Sequence, residues 1–172
     1  MNYSVHVLGD EFGGKVINII NKHNEDEQCT LLPGMLPIQY YSLIQRNSAG
    51  LPGFVLDDCG QVVGVGYCFP YHDAQSLRHV VEVHCYVHRF NLRIGIGTVL
   101  LETIASLLQN VGVNSLLARL PSTNLAGAAF LLKNGFTESA RIPNLVQGSG
   151  KPADLVYFLR NLGETPVGRV GC

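Results

Sequence analysis

The sequence predicts a single mixed α/β domain, one sheet with helices on both faces. Three observations carry that prediction. From His79 to His88, Val81, Val83, Cys85 and Val87 alternate with Glu82, His84, Tyr86 and His88, so the two sets fall on opposite faces of a strand. From Gly95 to Gln109, Leu100, Leu101, Ile104, Leu107 and Leu108 recur at helical spacing. Along the whole chain the segments read helix, helix, hairpin, strand, helix, strand, helix, strand, strand.

Each element has its own signal. Val16, Ile17, Ile19 and Ile20 give residues Glu11 to Lys22 the apolar side of a helix, and the polar run His23 to Gln28 reads as a loop. A second helix is expected from Pro37 to Arg46, with Tyr40, Leu43 and Ile44 as its packing face. Asn47 to Gly53 is a breaker cluster. Phe54-Val55-Leu56, the turn Asp57-Asp58-Cys59-Gly60 and the return strand Gln61 to Phe69 make a hairpin. A connector, Pro70 to Gln75, leads into the alternating strand. Beyond the long helix, Asn114 to Leu120 is a strand. Asn124 to Lys133 is a helix stopped by Asn134-Gly135, where glycine suits the left-handed residue after a helix end. Phe136 opens a strand and Leu155 to Leu159 forms the last one. The segment Gly163 to Cys172 is expected to be a loose tail. No repeat or boundary interrupts residues 1–162, which read as one domain.

Composition narrows the function classes. Of 172 residues, 47% are hydrophobic and 15% charged, which suits a packed domain and argues against disorder. A net charge of −1 without a basic stripe gives nucleic acid no electrostatic footprint. Apolar runs fall short of a membrane span, and the N-terminal residues do not read as a signal peptide. The five cysteines (Cys29, Cys59, Cys68, Cys85 and Cys172) are odd in number and form no CxxC pair. They read as reduced thiols of a cytoplasmic protein, and no zinc site is expected.

The segment from Tyr86 to Thr98 is the most informative. A strand ends, a loop carries Arg93, Gly95 and Gly97 follow, and a long helix begins. Glycines admit close approach of a ligand, and the amides at a helix N-terminus point at an anion. Pyrophosphate is the natural occupant. A bare Gly-x-Gly is weak evidence, because it recurs at Gly64 to Gly66 and Gly148 to Gly150. No Gly-Lys-Ser/Thr ending makes it a P-loop, and Leu100 stands where a dinucleotide fingerprint needs its third glycine.

These residues resemble the GNAT acetyltransferases, most closely the phosphinothricin/L-amino-acid N-acetyltransferase branch. Arg93-Ile94-Gly95-Ile96-Gly97 resembles the second half of the family's Gln/Arg-x-x-Gly-x-Gly/Ala loop, with Leu92 at the usual Gln or Arg position. Asn124 to Phe136 resembles the family's second block, Asn-x-x-Ser/Ala-x-x-Leu/Phe-x-x-Lys-x-Gly-Phe/Tyr. The resemblance runs from Val62 to Gly97 and again from Asn114 to Leu159. It implies a GNAT fold: a mostly antiparallel mixed sheet with a splayed strand pair. It also implies acetyl-CoA as co-substrate, no metal, and a homodimer. Residues Arg93, Ile94, Gly95, Ile96, Gly97 and Thr98 are then the pyrophosphate cradle. Backbone at Tyr86 and Val87 would pair with the pantetheine arm and polarise the thioester oxygen, and Asn124, Phe130 and Lys133 would add cofactor contacts. Asn124 also reads as a plain helix N-cap.

Acetyl transfer to an amine needs a proton acceptor, stabilisation of the developing oxyanion, and departure of the thiolate. The resemblance implies that Glu82 is the general base, acting through water. A carboxylate in a partly dry cleft can have its pKa raised toward neutrality, which suits that task. His84 and His88 share its side of the strand and are candidates to carry the proton. Same-face strand neighbours lie about 7 Å apart, too far to share zinc readily. The family position for the thiolate acid is Leu131 here, and Tyr86 is the substitute candidate. The family's substrate anchors before the strand are Ala74 and Leu77. Tyr71, His72 and Arg78 are therefore the expected substrate contacts, Arg78 through a carboxylate. The expected acceptor is a small-molecule amine, an amino acid or an analogue. A protein N-terminal or lysine acetyltransferase and a catalytically poor CoA-binding sensor are the alternatives.

Overall fold

The computed structural model describes residues 3–25, 30–32, 34–147 and 151–163. Seven strands form one sheet in the order β1-β2-β3-β4-β5-β7-β6. They are β1 (Ser4–Val7), β2 (Phe54–Asp58), β3 (Gln61–Pro70), β4 (Val80–Val87), β5 (Ser115–Pro121), β6 (Thr137–Val146) and β7 (Ala153–Asn161). Every pairing is antiparallel except β4 with β5. The helices are α1 (Gly13–Asn24), α2 (Tyr40–Ser48), α3 (Ile96–Gln109) and α4 (Leu125–Lys133). The predicted mixed α/β architecture is therefore present.

The alternation of β4 sorts its side chains as expected. Tyr86 packs with Val65 and Tyr67 in the core beneath α1 and α2, where Val16, Ile19, Ile20 and Ile44 are buried. Val81 and Val83 pack on the opposite face with Leu101, Ile104 and Leu108 of α3 and Leu131 of α4.

The glycine pair in β3 now has a physical account. A Cβ on Gly64 would lie 2.8 Å from Ile96 Cγ2 and 3.0 Å from Leu100 Cδ1, and one on Gly66 would lie 2.9 Å from Ile104 Cδ1. The two glycines form a trough in which α3 seats, and that contact sets how close the helix N-terminus comes to the sheet. The third Gly-x-Gly, at 148–150, lies outside the described residues, as does the tail at 164–172.

Three expectations need correction. The first element is a strand, β1, rather than a helix. All four of its residues are exposed, so no buried face marks it, and only backbone pairing with β2 makes it a strand. Helix α1 runs on to Asn24 because its polar end is buried by tertiary bonds. Asn21 exchanges two hydrogen bonds with the Leu36 backbone (3.0 and 2.7 Å), and Asn24 donates to the Gly34 carbonyl at 2.9 Å. Helix α2 begins at Tyr40 rather than Pro37, because the preceding residues make i→i+3 turns, Tyr40 to Pro37 and Tyr41 to Ile38.

Filling the trough should unseat α3. Gly64→Ala is expected to destabilise the fold by about 1–3 kcal/mol, the usual cost of overpacking, read as a lower urea midpoint. Gly66→Ala should cost less, because the only atom closer than 3.4 Å is the end of one isoleucine chain. Equal midpoints for wild type and Gly64→Ala would disprove the trough.

Candidate active site

Strands β4 and β5 share only three register pairs, Val80 with Ser115, Val81 with Leu116 and Glu82 with Leu117. Beyond Glu82 the two strands part. Each is held by its other neighbour, β4 by β3 from Val81 to Val87 and β5 by β7 over its whole length. The gap is therefore a stable feature with backbone on both walls. The His88 amide bonds the Val63 carbonyl at 2.8 Å. Because the peptide is trans, the Val87 carbonyl points the other way, and by strand alternation so do the polar backbone groups of Val87 and Cys85. His23 donates from Nε2 to that carbonyl at 2.8 Å. Of the two backbone positions expected to serve the pantetheine arm, Val87 thus faces the gap, whereas Tyr86 turns its amide to β3. Cys85 shares the Val87 orientation and was not singled out by the sequence. Unladdered strand edges require hydrogen-bond partners, and an arm built of amides fits them.

The gap opens toward the N-terminus of α3. Gly95 is its N-cap, with φ +94° and no side chain to offer, so the first helical amides, those of Ile96, Gly97 and Thr98, have no side-chain cap. Arg93 also holds a left-handed φ of +64°, sustained strain of the kind that collects at functional loops. Arg93, Ile94 and Gly95 are exposed, whereas the Ile96 side chain is buried beneath Gly64 and can present only its amide. The two loop glycines differ in purpose. Nothing lies within 4 Å of a Cβ built on Gly95, so its conformation is the constraint, but a Cβ on Gly97 would lie 2.9 Å from the Phe130 ring. Phe130 therefore packs α4 against the cradle. At the head of α4, Asn124 Oδ1 accepts the Gly127 amide at 2.8 Å, a helix cap. Lys133 is exposed in the last turn of α4.

At the mouth of the gap, on the α1 side, stands a polar group. Glu82 is 7% exposed. Arg119 of β5 grips it with both arms of its fork, Nε to Oε1 at 2.9 Å and Nη2 to Oε2 at 2.6 Å. His84 Nε2 lies 3.6 Å from Glu82 Oε1 and has no hydrogen-bond partner. Its ring stacks on Tyr67, with centroids 5.0 Å apart and planes 17° apart, and touches Phe69. Burial drives the His84 pKa down to about 4, against the pull of Glu82 and with the push of Arg119. His84 is therefore a neutral imidazole at physiological pH. Burial likewise raises the Tyr86 hydroxyl, which bonds Tyr67.

Other expected residues lie apart. His88 lines a shallow pocket with Lys15, Asn18 and Gln61, its ring against Phe90. Tyr71, His72 and Arg78 sit exposed on the β3–β4 connector, where His72 Nδ1 accepts the Ala74 amide at 3.0 Å. Leu131 is 6% exposed in the core. Arg119 is the residue that sequence reading missed. Its signal is slight: a lone charged residue in a strand that is otherwise apolar after Ser115, two positions beyond the partner of Glu82. Burial pushes the Cys85 thiol up to about 12, and Cys68 is raised too, so neither is a ready nucleophile. Among the described residues no three His, Cys, Asp or Glu are placed to hold a metal, and no helix is long and apolar enough to cross a membrane.

Comparison with known proteins agrees with this architecture. The chain is 28% identical over 119 residues to the L-amino acid N-acyltransferase MnaT of Escherichia coli (strain K12), covering 69% of each protein. It is 27% identical to the L-methionine sulfoximine/L-methionine sulfone acetyltransferase of Salmonella typhimurium, covering 69% of this chain and 70% of that one. A phosphinothricin acetyltransferase from Sinorhizobium meliloti, solved with AcCoA, superposes with a TM-score of 0.84 at 20% identity, covering 95% of this chain and 90% of that one. Residues 18–136 match the acetyltransferase (GNAT) family. With the splayed strands, the open helix N-terminus and this match over more than half its length, the chain belongs to the GNAT family of acetyltransferases.

Proposed function

We propose that the protein moves an acetyl group from acetyl-CoA to the amine of a small molecule, an amino acid or an analogue, with Glu82 as general base. The observation that carries this reading is the β4–β5 gap, which joins the open amides of α3 at one end to the Glu82 carboxylate at the other. The similarity to an L-amino acid N-acyltransferase and a methionine sulfoximine acetyltransferase supports the substrate class.

The chain's own groups divide the work. Amides of Ile96, Gly97 and Thr98 take the pyrophosphate, aided by the helix dipole and Arg93. Amides of Cys85 and Val87 line the gap and serve the thioester oxygen as charge develops. Acetyl-CoA supplies an activated acyl carbon and a thiolate leaving group. The ammonium loses two protons overall: Glu82 accepts one, and the departing sulfur ends with the other. Tyr86 is the candidate to hand over that second proton, since Leu131 has none to give, provided that its hydroxyl leaves Tyr67 and turns into the gap. Neutral His84, beside Glu82, can pass a proton through its ring nitrogens but cannot hold one at pH 7.

A second reading, a CoA-binding sensor with little turnover, is favoured by the buried Leu131 at the family's acid position. One assay separates the two: incubation with acetyl-CoA and an amine panel, following free thiol. Turnover that falls about 10²-fold or more in Glu82→Gln supports the transferase, in line with the usual contribution of a general base. Tight CoA binding without thiol release on any amine supports the sensor. In the same assay Tyr86→Phe should lower kcat while leaving KM for the amine unchanged, and an unaltered kcat would rule out its role as thiolate acid.

Burial of neutral His84 also sets a pH dependence. Its folded pKa of about 4 lies below the ordinary 6.5, so between those values the unfolded chain binds a proton that the folded one excludes. Stability from this group is complete above pH 6.5 and falls as pH drops toward 4, by about 3 kcal/mol at most. Urea midpoints measured across that window should fall less steeply for His84→Gln than for wild type; parallel slopes would contradict the assignment.

A further inference from the structure

The Glu82–Arg119 pair is an odd arrangement for a working base. Each Glu82 oxygen already accepts a short bond from the guanidinium. The fork fills one lone pair on each oxygen of a side chain that is itself buried, so an incoming ammonium has least room to reach the carboxylate while both bonds hold. The two partners are also unequally placed: 9% of the Glu82 side chain is exposed, against 38% of Arg119. The guanidinium is the half of the pair that reaches the open mouth of the gap, with Tyr157 of β7 as a further hydrogen-bond partner. Its fork is already shown to hold a carboxylate bidentately, and the carboxylate it holds is the protein's own.

Resting on the acetyl-transfer reading above, we propose that Arg119 is the acceptor's anchor. The acceptor is an amine carrying its own carboxylate or similar planar acid, which takes the Arg119 fork from Glu82 and so releases the base. The exchange conserves electrostatics. One carboxylate replaces another on the guanidinium, and the freed Glu82 is met by the incoming ammonium, so a zwitterion ends with both charges paired. A plain amine or a primary amide has nothing to give Arg119. It must either leave Glu82 clamped or strand a half-buried cation, which is costly. Selectivity for amino acids thus follows from the pair itself, with no demand on the exposed Arg78. The proton step follows the release: the ammonium proton passes to Glu82, directly or through one water. The nitrogen then attacks the thioester carbon, the carbon–sulfur bond breaks, and the sulfur leaves with the electron pair and ends with the nitrogen's second surplus proton.

The test is calorimetric binding of L-amino acids and their primary amides to the full chain saturated with CoA, alongside thiol release with acetyl-CoA. For the preferred amino acid, binding about tenfold or more tighter than its amide is expected, a difference typical of one charge-assisted contact. Arg119→Gln should bring that ratio to near one by weakening the acid alone. Glu82→Gln should raise the acid-over-amide ratio several-fold above wild type, because the competing carboxylate is gone while the lost ammonium contact is common to both ligands, even as turnover falls. A merely structural ion pair predicts an unchanged ratio in Glu82→Gln, with acid and amide weakened alike. The double variant Glu82→Gln/Arg119→Gln removes both charges together and keeps the comparison valid where a single variant folds poorly; it should show no acid preference. Acid and amide binding equally in wild type, no binding of any acid, or a ratio that does not rise in Glu82→Gln each overturns the anchor. Turnover without acid preference sinks the anchor and leaves acetyl transfer standing. The full binding pattern with no thiol release does the reverse.

Discussion

Strands β4 and β5 run together for three residue pairs and then separate, and most of the site depends on that parting. A parallel ladder that continued would bond the inner edges of both strands and leave no slot. The separation is tolerable because each strand is fully engaged on its other side, β4 with β3 and β5 with β7. The sheet behaves as two antiparallel halves joined at one short seam. Polar backbone groups along the slot then need partners that a ladder would have supplied: His23 serves the Val87 carbonyl, and an amide-bearing ligand suits the slot's remaining edge.

The seam also explains the charge pair. Glu82 occupies the last register position before the strands diverge, opposite Leu117. Two residues on, Arg119 shares the face of Leu117 and is already far enough from β4 to turn its fork back onto the carboxylate. Divergence brings a long side chain and a short one to bidentate distance across the widening mouth. His84, the next side chain on the Glu82 face, is stacked on Tyr67 and so stands beside the same carboxylate. The cluster is a product of strand geometry at one point of the sheet.

On the opposite face a second contact controls the other end of the slot. The trough at Gly64 and Gly66 admits Ile96, Leu100 and Ile104, which places the start of α3 close to the sheet. Gly97 receives Phe130, so α4 is tied to the same spot. The start of α3 is thus braced by two packing contacts, which together require the absence of three side chains, at Gly64, Gly66 and Gly97. Glycines that look alike in the sequence serve three separate ends: a left-handed turn at Gly95, a helix–helix contact at Gly97, and a helix–sheet contact in β3.

Much was legible in the sequence alone. Periodicity and breaker signals located six of the seven strands and all four helices, mostly because a buried face imposes a repeat of two or 3.6; β6, exposed along nearly its whole length, was marked only by the Gly135-Phe136 start that precedes it. The open, uncapped start of α3 was legible too, since its chemistry is local: backbone amides, glycines and a helix start lie within a few residues. Strand β1 was silent because it has no buried face, and the end of α1 was misread because the bonds that bury Asn21 and Asn24 come from residues 34–36. Arg119 escaped for the same reason. Its partner is 37 positions away, and only the register of β5 on β4 puts them within 2.6 Å. What the sequence determined was whatever a short segment settles for itself: element type, capping and the glycine-bearing start of α3. The tertiary structure alone decided which residue holds the Glu82 carboxylate, which backbone amides face the slot, and that His84 is neutral, because each depends on strand divergence and burial that no local pattern encodes.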